Sequence, residues 1–187
     1  MIAETARVQI RELATSDAPA LSKILADPSV MEFSSKGALT EADTLRFIEG
    51  CIRSYQKHGY GQWALIEKKS GVFIGYCGLS HATIDGVDEV EIGYRLAQYQ
   101  WGKGLASEAA NKVLDHGFVI CNIKSIVGIV SPRHEASIRV LEKVGFQSFS
   151  ETRYSGWDAR VYRLNKHDWK SYNTSLQPTS PLTRRLG

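Results

Sequence analysis

Gln100-Trp101-Gly102-Lys103-Gly104-Leu105-Ala106-Ser107-Glu108-Ala109 sets two glycines, one residue apart, between a strand-like run over 90–96 and a helix-like run. Glycines let the backbone turn tightly and clear side chains from the helix entrance. The unpaired N–H groups of the first helical turn then point outward and, with the helix dipole, make an anion site. The pattern predicts a phosphate at this junction, most naturally a pyrophosphate. It is not a Walker loop, because no Gly-Lys-Ser/Thr closes it. It is not a dinucleotide fingerprint, because the third glycine and the surrounding βαβ unit are missing. The bland alternative is a glycine-rich turn without a ligand.

A second segment lies about thirty residues further on. Ser131-Pro132-Arg133-His134-Glu135-Ala136-Ser137 reads as a loop entering a short helix. Ile138, Leu141 and Val144 form its apolar stripe, with Val140 beside it, and Gly145 supplies a left-handed stop. In the strand before the glycine turn, alternation puts Glu91, Gly93 and Arg95 on one face and Val90, Ile92, Tyr94 and Leu96 on the other.

The elements that must position these residues follow from the pattern. Val8-Gln9-Ile10-Arg11 alternates as a first strand. Thr15 or Ser16 is expected to cap a helix carrying Pro19 in its first turn and ending at Pro28. Thr40-Glu41-Ala42-Asp43 has the form of a capping box, followed by a helix with Leu45, Ile48, Ile52 and Tyr55 on one face. Gly59-Tyr60-Gly61 ends it. Strands over 63–66 and 72–74 flank the turn at 68–71, and Asp85-Gly86 signals a hairpin. A helix over 105–120, a buried strand over 126–130, the short helix, and closing strands over 146–149 and 161–164 with a turn at Ser155-Gly156 complete the order. The Ser, Thr and Pro content from 171 onward predicts a loosely ordered tail after a single domain over 1–170.

Composition narrows the function. The 187 residues are 43% apolar, enough for one sizeable core. A net charge of +3 with dispersed basic residues argues against nucleic acid as the main ligand. Cys51, Cys77 and Cys121 lie far apart, which predicts reduced thiols rather than a disulfide framework. His58, His81, His116 and His167 show no metal spacing, and no metal is expected. No segment has the length and apolarity of a membrane span or signal peptide, so the expectation is a soluble cytoplasmic protein, monomer or homodimer.

In order and spacing, Arg7-Val8-Gln9-Ile10-Arg11, Ala26-Asp27-Pro28, Gly75-Tyr76-Cys77-Gly78-Leu79, Glu91-Ile92-Gly93-Tyr94, Trp101-Gly102-Lys103-Gly104 and the run over 137–146 resemble the GNAT superfamily of N-acetyltransferases. The resemblance covers roughly residues 7–170, and the branch is that of the ribosomal-protein N-terminal (alanine/serine) acetyltransferases. It implies an α+β fold with a mixed, mostly antiparallel central sheet, flanking helices and splayed central strands, with acetyl-CoA as co-substrate in the cleft.

Acetyl transfer from a thioester to an amine needs an anchored pyrophosphate, a polarised carbonyl, a neutral amine and a proton for the departing thiolate. The resemblance implies that the anchor is the backbone of Trp101, Gly102, Lys103, Gly104, Leu105 and Ala106, with Trp101 in the place of the superfamily's Arg/Gln. Lys103 either adds a charge contact or is simply solvated. The polarising N–H would lie around Leu96 and Ala97. Glu91 matches the base of a carboxylate-base subset. The competing readings are a strand residue paired with Arg95, Glu89 in its stead, or a water relay. Many members use a Tyr seven residues after a motif Asn. Here those positions are Leu141 and His134, so Ser137 is the candidate acid, with helix capping as its alternative, and His134 is the candidate pantetheine contact. Phe33, Tyr60, Trp63, Tyr154 and Trp157 are candidate walls for the acceptor, or else core. A loop over 31–39 is expected to cover the site. Three functions remain: a protein N-terminal acetyltransferase, an acetyltransferase for a polyamine, amino-acid derivative or aminoglycoside, and a non-catalytic acyl-CoA-binding protein.

Overall fold

The computed structural model describes residues 1–175, with side chains through Tyr172. Eight strands form one sheet in the order β1-β2-β3-β4-β5-β6-β8-β7. They are β1 (Ala3–Glu4), β2 (Val8–Glu12), β3 (Gln62–Glu67), β4 (Phe73–Ile84), β5 (Val87–Leu96), β6 (Ser125–Val130), β7 (Phe149–Tyr154) and β8 (Trp157–Asn165). The helices are α1 (Ala18–Leu25), α2 (Pro28–Met31), α3 (Glu41–His58), α4 (Leu105–Asp115), α5 (Glu135–Lys143) and α6 (Lys166–Ser175). Every neighbouring pair is antiparallel except β5 and β6, which run parallel and meet only at Glu91 and Val127. Beyond that bridge the two strands part. This is the expected splay.

Alternation sorts the two faces of the sheet. Trp63 and Leu65 of β3, Cys77 and Leu79 of β4, and Ile92 and Leu96 of β5 pack against Leu105, Ala109, Val113 and Leu114 of α4. Ala64, Tyr76 and Ala97 face α1, α2 and α3 through Leu21, Leu25, Val30, Ile48 and Cys51. The cavities lie where the splay interrupts this double-sided core.

The local signals were good at turns. Asp85-Gly86 and Ser155-Gly156 adopt positive φ and close the β4–β5 and β7–β8 hairpins. Thr40 accepts from the Asp43 amide and Asp43 returns a bond to the Thr40 amide, so the capping box is complete. Thr40→Ala should cost about 1 kcal/mol of stability, read as a lower urea midpoint with an unchanged slope.

Other boundaries differ from expectation. The first helix is not capped by Thr15 or Ser16. Asp17 accepts from the Ala14 amide and pairs with Arg11 at 2.7 Å, closing a 3₁₀ turn ahead of α1. Pro28 opens α2 rather than ending α1: Asp27 caps it through the Ser29 amide, and proline tolerates a first-turn position. The closing strand begins at Phe149 rather than Phe146, because the buried Phe146 ring is spent on the core before pairing starts. The expected loose tail begins inside α6, whose Trp169 is buried against Phe118. The rest of that tail lies outside the described residues.

Candidate active site

The glycine turn has the expected shape. β5 ends at Leu96, a 3₁₀ turn covers Gln98–Gln100, and α4 starts at Leu105. Gly102 and Gly104 take φ of 74° and 77°, a conformation that side-chain-bearing residues enter only at a cost. Gly104, the N-cap, supplies no capping side chain. Among the described residues no acceptor meets the amides of Leu105, Ala106 and Ser107, the donors a first helical turn leaves open. The Trp101 amide is spent on the Gln98 carbonyl, and its indole N–H donates to the Leu96 carbonyl at 2.9 Å. Arg7 reaches over from the N-terminal segment. It pairs with Glu108 and donates to the Lys103 carbonyl at 2.9 Å, so the acidic group of this first turn is already neutralised.

These residues open onto a cavity of 570 Å³. Leu96, Trp101, Gly102, Gly104, Leu105, Ala106 and His134, which the resemblance implies contact the cofactor, line it. Ala97 and Lys103 do not. The Ala97 amide donates to Ile74 on β4, which leaves Leu96, whose amide by alternation faces the splay, as the candidate polarising N–H. The Lys103 ammonium is turned to the Gln100 side chain at 2.9 Å. Arg139 and Lys143 of α5 also line this cavity, at a helical spacing that puts both on one face. No local signal in the sequence marks them as facing the cofactor turn.

A second cavity, of 330 Å³, lies on the other side of the splay. Glu91, Gly93 and Arg95 form its floor, as alternation required. A Cβ on Gly93 would come within 3.0 Å of the Gln62 side chain, so glycine keeps this floor open. Phe33, Ser34 and Ser35 of the loop after α2 form one wall, and Tyr154 and Trp157 of the last hairpin form another. Trp63 and Tyr60 are not in it. Trp63 is fully buried on the opposite face of the sheet, edge-on to His116. Tyr60 stacks on His58 beyond the end of α3.

Four residues line both cavities: Tyr94, Arg95, His134 and Ser137. His134 caps α5, its Nδ1 accepting from the Ser137 amide at 3.2 Å, so the capping role considered for Ser137 belongs to His134. Its ring packs on Phe33 at 4.2 Å. Burial, with help from Arg95, holds its pKa below the usual imidazole range. Ser137 Oγ lies 2.9 Å from the Tyr94 hydroxyl, which also donates to the Ser137 carbonyl at 3.0 Å. Burial keeps the Tyr94 phenol protonated. Burial likewise raises the Glu91 carboxyl to about 7, against the pull of Arg95. The group therefore exchanges a proton near neutral pH. Glu89, the weaker alternative, is tied to Arg163.

The thiols stand apart. Burial pushes Cys51 up to about 11 and raises Cys77 further, and neither cavity is lined by a cysteine. Among the described residues, no His, Cys, Asp and Glu cluster is arranged to hold a metal ion. None of the described helices is long and apolar enough to cross a membrane.

A mixed sheet split between two parallel strands, with an uncapped helix start at the split, is the acyl-CoA N-acyltransferase architecture. The chain belongs to the GNAT acetyltransferases: the family model for the acetyltransferase (GNAT) domain matches residues 7–147. It is similar to the uncharacterized protein YkkB of Bacillus subtilis, 32% identical over 90% of this chain and 95% of that one. It is also similar to the uncharacterized N-acetyltransferase p20 of Bacillus licheniformis, 31% identical over 76% of this chain and 80% of the relative. Among solved structures, an acetyltransferase from Agrobacterium tumefaciens superposes with a TM-score of 0.74 at 27% identity, covering 87% of this chain and 93% of the other. The ribosomal-protein-S5-alanine acetyltransferase of Vibrio fischeri shares the fold, with a TM-score of 0.73 at 20% identity over 89% and 97% of the two chains. So does aminoglycoside acetyltransferase AAC(6')-Ib, solved with coenzyme A, with a TM-score of 0.74 at 19% identity over 89% and 99%. The chain is an acetyl-CoA-dependent N-acetyltransferase.

Proposed function

We propose that the chain binds acetyl-CoA in the larger cavity and transfers its acetyl group directly to a primary amine in the smaller one, with Glu91 as base and Ser137 as proton donor. The observation that supports this is the meeting of the two cavities at Tyr94, Arg95, His134 and Ser137. A donor entering from one side and an acceptor from the other reach each other there.

The amides of Leu105, Ala106 and Ser107 hold the pyrophosphate, with Arg139 and Lys143 adding charge. Acetyl-CoA supplies the thioester. The Leu96 amide donates to its carbonyl oxygen and stabilises the charge that grows there. Glu91 lies further up β5, so it takes the amine proton through water. The amine nitrogen bonds to the carbonyl carbon, the carbon–sulfur bond breaks, and the Ser137 hydroxyl passes its proton to the thiolate while the proton that Glu91 took up returns to the serine oxygen through water. Tyr94 gives its proton to the Ser137 carbonyl, so the contact between the two hydroxyls is made by the Ser137 proton, which turns from the Tyr94 oxygen to the sulfur. No cysteine takes part.

The smaller cavity is near the lower end of the usual size for small-molecule sites. It admits a small amine or the first residue of a peptide. Thiol release from acetyl-CoA with a panel of peptides and small amines tests the reading. Turnover is expected. Tight coenzyme A binding without thiol release on any of these amines would overturn the placement of a primary-amine acceptor in the smaller cavity. Ser137→Ala should lower kcat about a hundredfold, the lower range for a positioned proton donor, with coenzyme A affinity unchanged. Full kcat in that variant would reduce Ser137 to a packing partner of Tyr94.

A further inference from the structure

The smaller cavity holds a positive charge that no carboxylate among the described residues pairs with. Arg95 stands on the floor of the cavity immediately before Leu96, at the end where the two cavities meet. One of its nitrogens donates to the Val30 carbonyl at 2.8 Å, and it also bonds to Tyr76. Both partners are neutral. Among the described residues no Asp or Glu makes an ion pair with it. Glu91 is the sole carboxylate of the lining. It sits toward the other end of β5, and burial keeps much of it uncharged at neutral pH. A guanidinium in a half-enclosed site, in ion-pair contact with no carboxylate among the described residues, is a receptor for an oxyanion.

The acceptor nitrogen must lie beside Leu96 to be acetylated, and Arg95 is the next residue. The anion that Arg95 takes is therefore carried close to that nitrogen. Between Arg95 and Glu91, Gln62 lies against Gly93, and its buried Oε1 has no donor. Gln62 thus sets a polar amide in the lining between the two charged side chains. The remaining wall mixes aromatic rings, among them Phe33, Phe47 and Tyr76, with the neutral hydroxyls of Ser34, Ser35 and Ser80. A polycation would find one acidic side chain here and a fixed cation at the reacting end.

We infer that Arg95 binds an acid group adjacent to the acceptor nitrogen, so that the acceptor is an amino-acid-like compound, an amine with a neighbouring carboxylate or comparable oxyanion, rather than a polyamine. This rests on the direct transfer described above and specifies its acceptor.

The test is thiol release by the full chain at saturating acetyl-CoA with three sets of amines: α-amino acids of each side-chain class, their C-terminal amides, and spermidine. Aminophosphonates replace the amino acids in a further arm, to separate carboxylate from other oxyanions. Rates are compared per neutral amine, since the amides ionise at lower pH. The free acids are expected to exceed their amides in kcat/KM by about ten- to a hundredfold, the worth of a charge-assisted hydrogen bond, mostly through KM. In Arg95→Gln that ratio should collapse toward one, and Arg95→Lys should restore part of it. A residue that merely ties α2 to β5 would lower both sets alike and leave the ratio intact. Preference for amides or spermidine, or a ratio unmoved by Arg95→Gln, would overturn the inference and leave the transferase reading standing. Absence of turnover on every amine would overturn both. The wild-type ratio alone decides the matter if Arg95→Gln does not fold.

Discussion

Ala106→Glu should fold and lose acetyl-CoA binding by at least about a hundredfold. Ala106 is in the first turn of α4 and lines the larger cavity beside the open amides. A glutamate there suits the helix, because acidic groups near an N-terminus are favoured by the dipole. Its carboxylate would compete for the same donors and repel the pyrophosphate. Two unit charges 4 Å apart at an effective dielectric of about 20 cost about 4 kcal/mol, or roughly a thousandfold, before screening by salt. Ala106→Gln has the same size without the charge and should lose much less. Calorimetry reads both. A folded Ala106→Glu protein that binds coenzyme A as the wild type does would remove this turn from the cofactor site.

Glu91→Gln should lower kcat about a hundredfold at pH 7, within the range of general-base contributions. The loss should shrink as pH rises and more amine is neutral on its own. In the wild type the rate should climb through about pH 7 as the buried carboxyl ionises. Stability carries the opposite sign. The folded protein holds the Glu91 proton up to about pH 7, whereas the unfolded chain releases it near the ordinary carboxylate value of 4.5. Between these limits the native state binds more protons, so rising pH weakens the fold. Glu91→Gln removes that penalty. It should be the more stable protein at pH 8, by on the order of 3 kcal/mol, with the advantage absent near pH 4. Superimposable pH–rate profiles for the two proteins would eliminate Glu91 as the base.

What was legible in the sequence tracks the range of the interaction responsible. Gly102, Gly104, Asp85-Gly86 and the Thr40 capping box act within a few residues, and each was readable. Glu91 was readable because β5 alternates, so its face was set once the strand was recognised. Arg95 shares that face, and the same alternation pointed to it. Trp63 was misplaced because the residues of β3 from Gln62 to Leu65 are all buried. A strand covered on both faces has no period-two signal to say which ring meets which layer. Tyr94 was assigned to the core face, and nothing local shows that its hydroxyl meets Ser137 on a helix that follows β6. The splay itself is a pairing that stops after one bridge, and no residue type encodes a missing partner. Pro28 reads equally as a stop or a start, because proline marks both ends of helices, and the Asp27 cap decides between them only in three dimensions.

The central claim is that donor and acceptor occupy adjoining cavities at once and react without an enzyme-bound acetyl group. Initial rates with acetyl-CoA and the amine varied together test it most directly. Intersecting lines are expected, with intact-protein mass unchanged after incubation with acetyl-CoA alone. Parallel lines, together with a stable acetyl adduct on Cys51, Cys77 or Cys121, would contradict it.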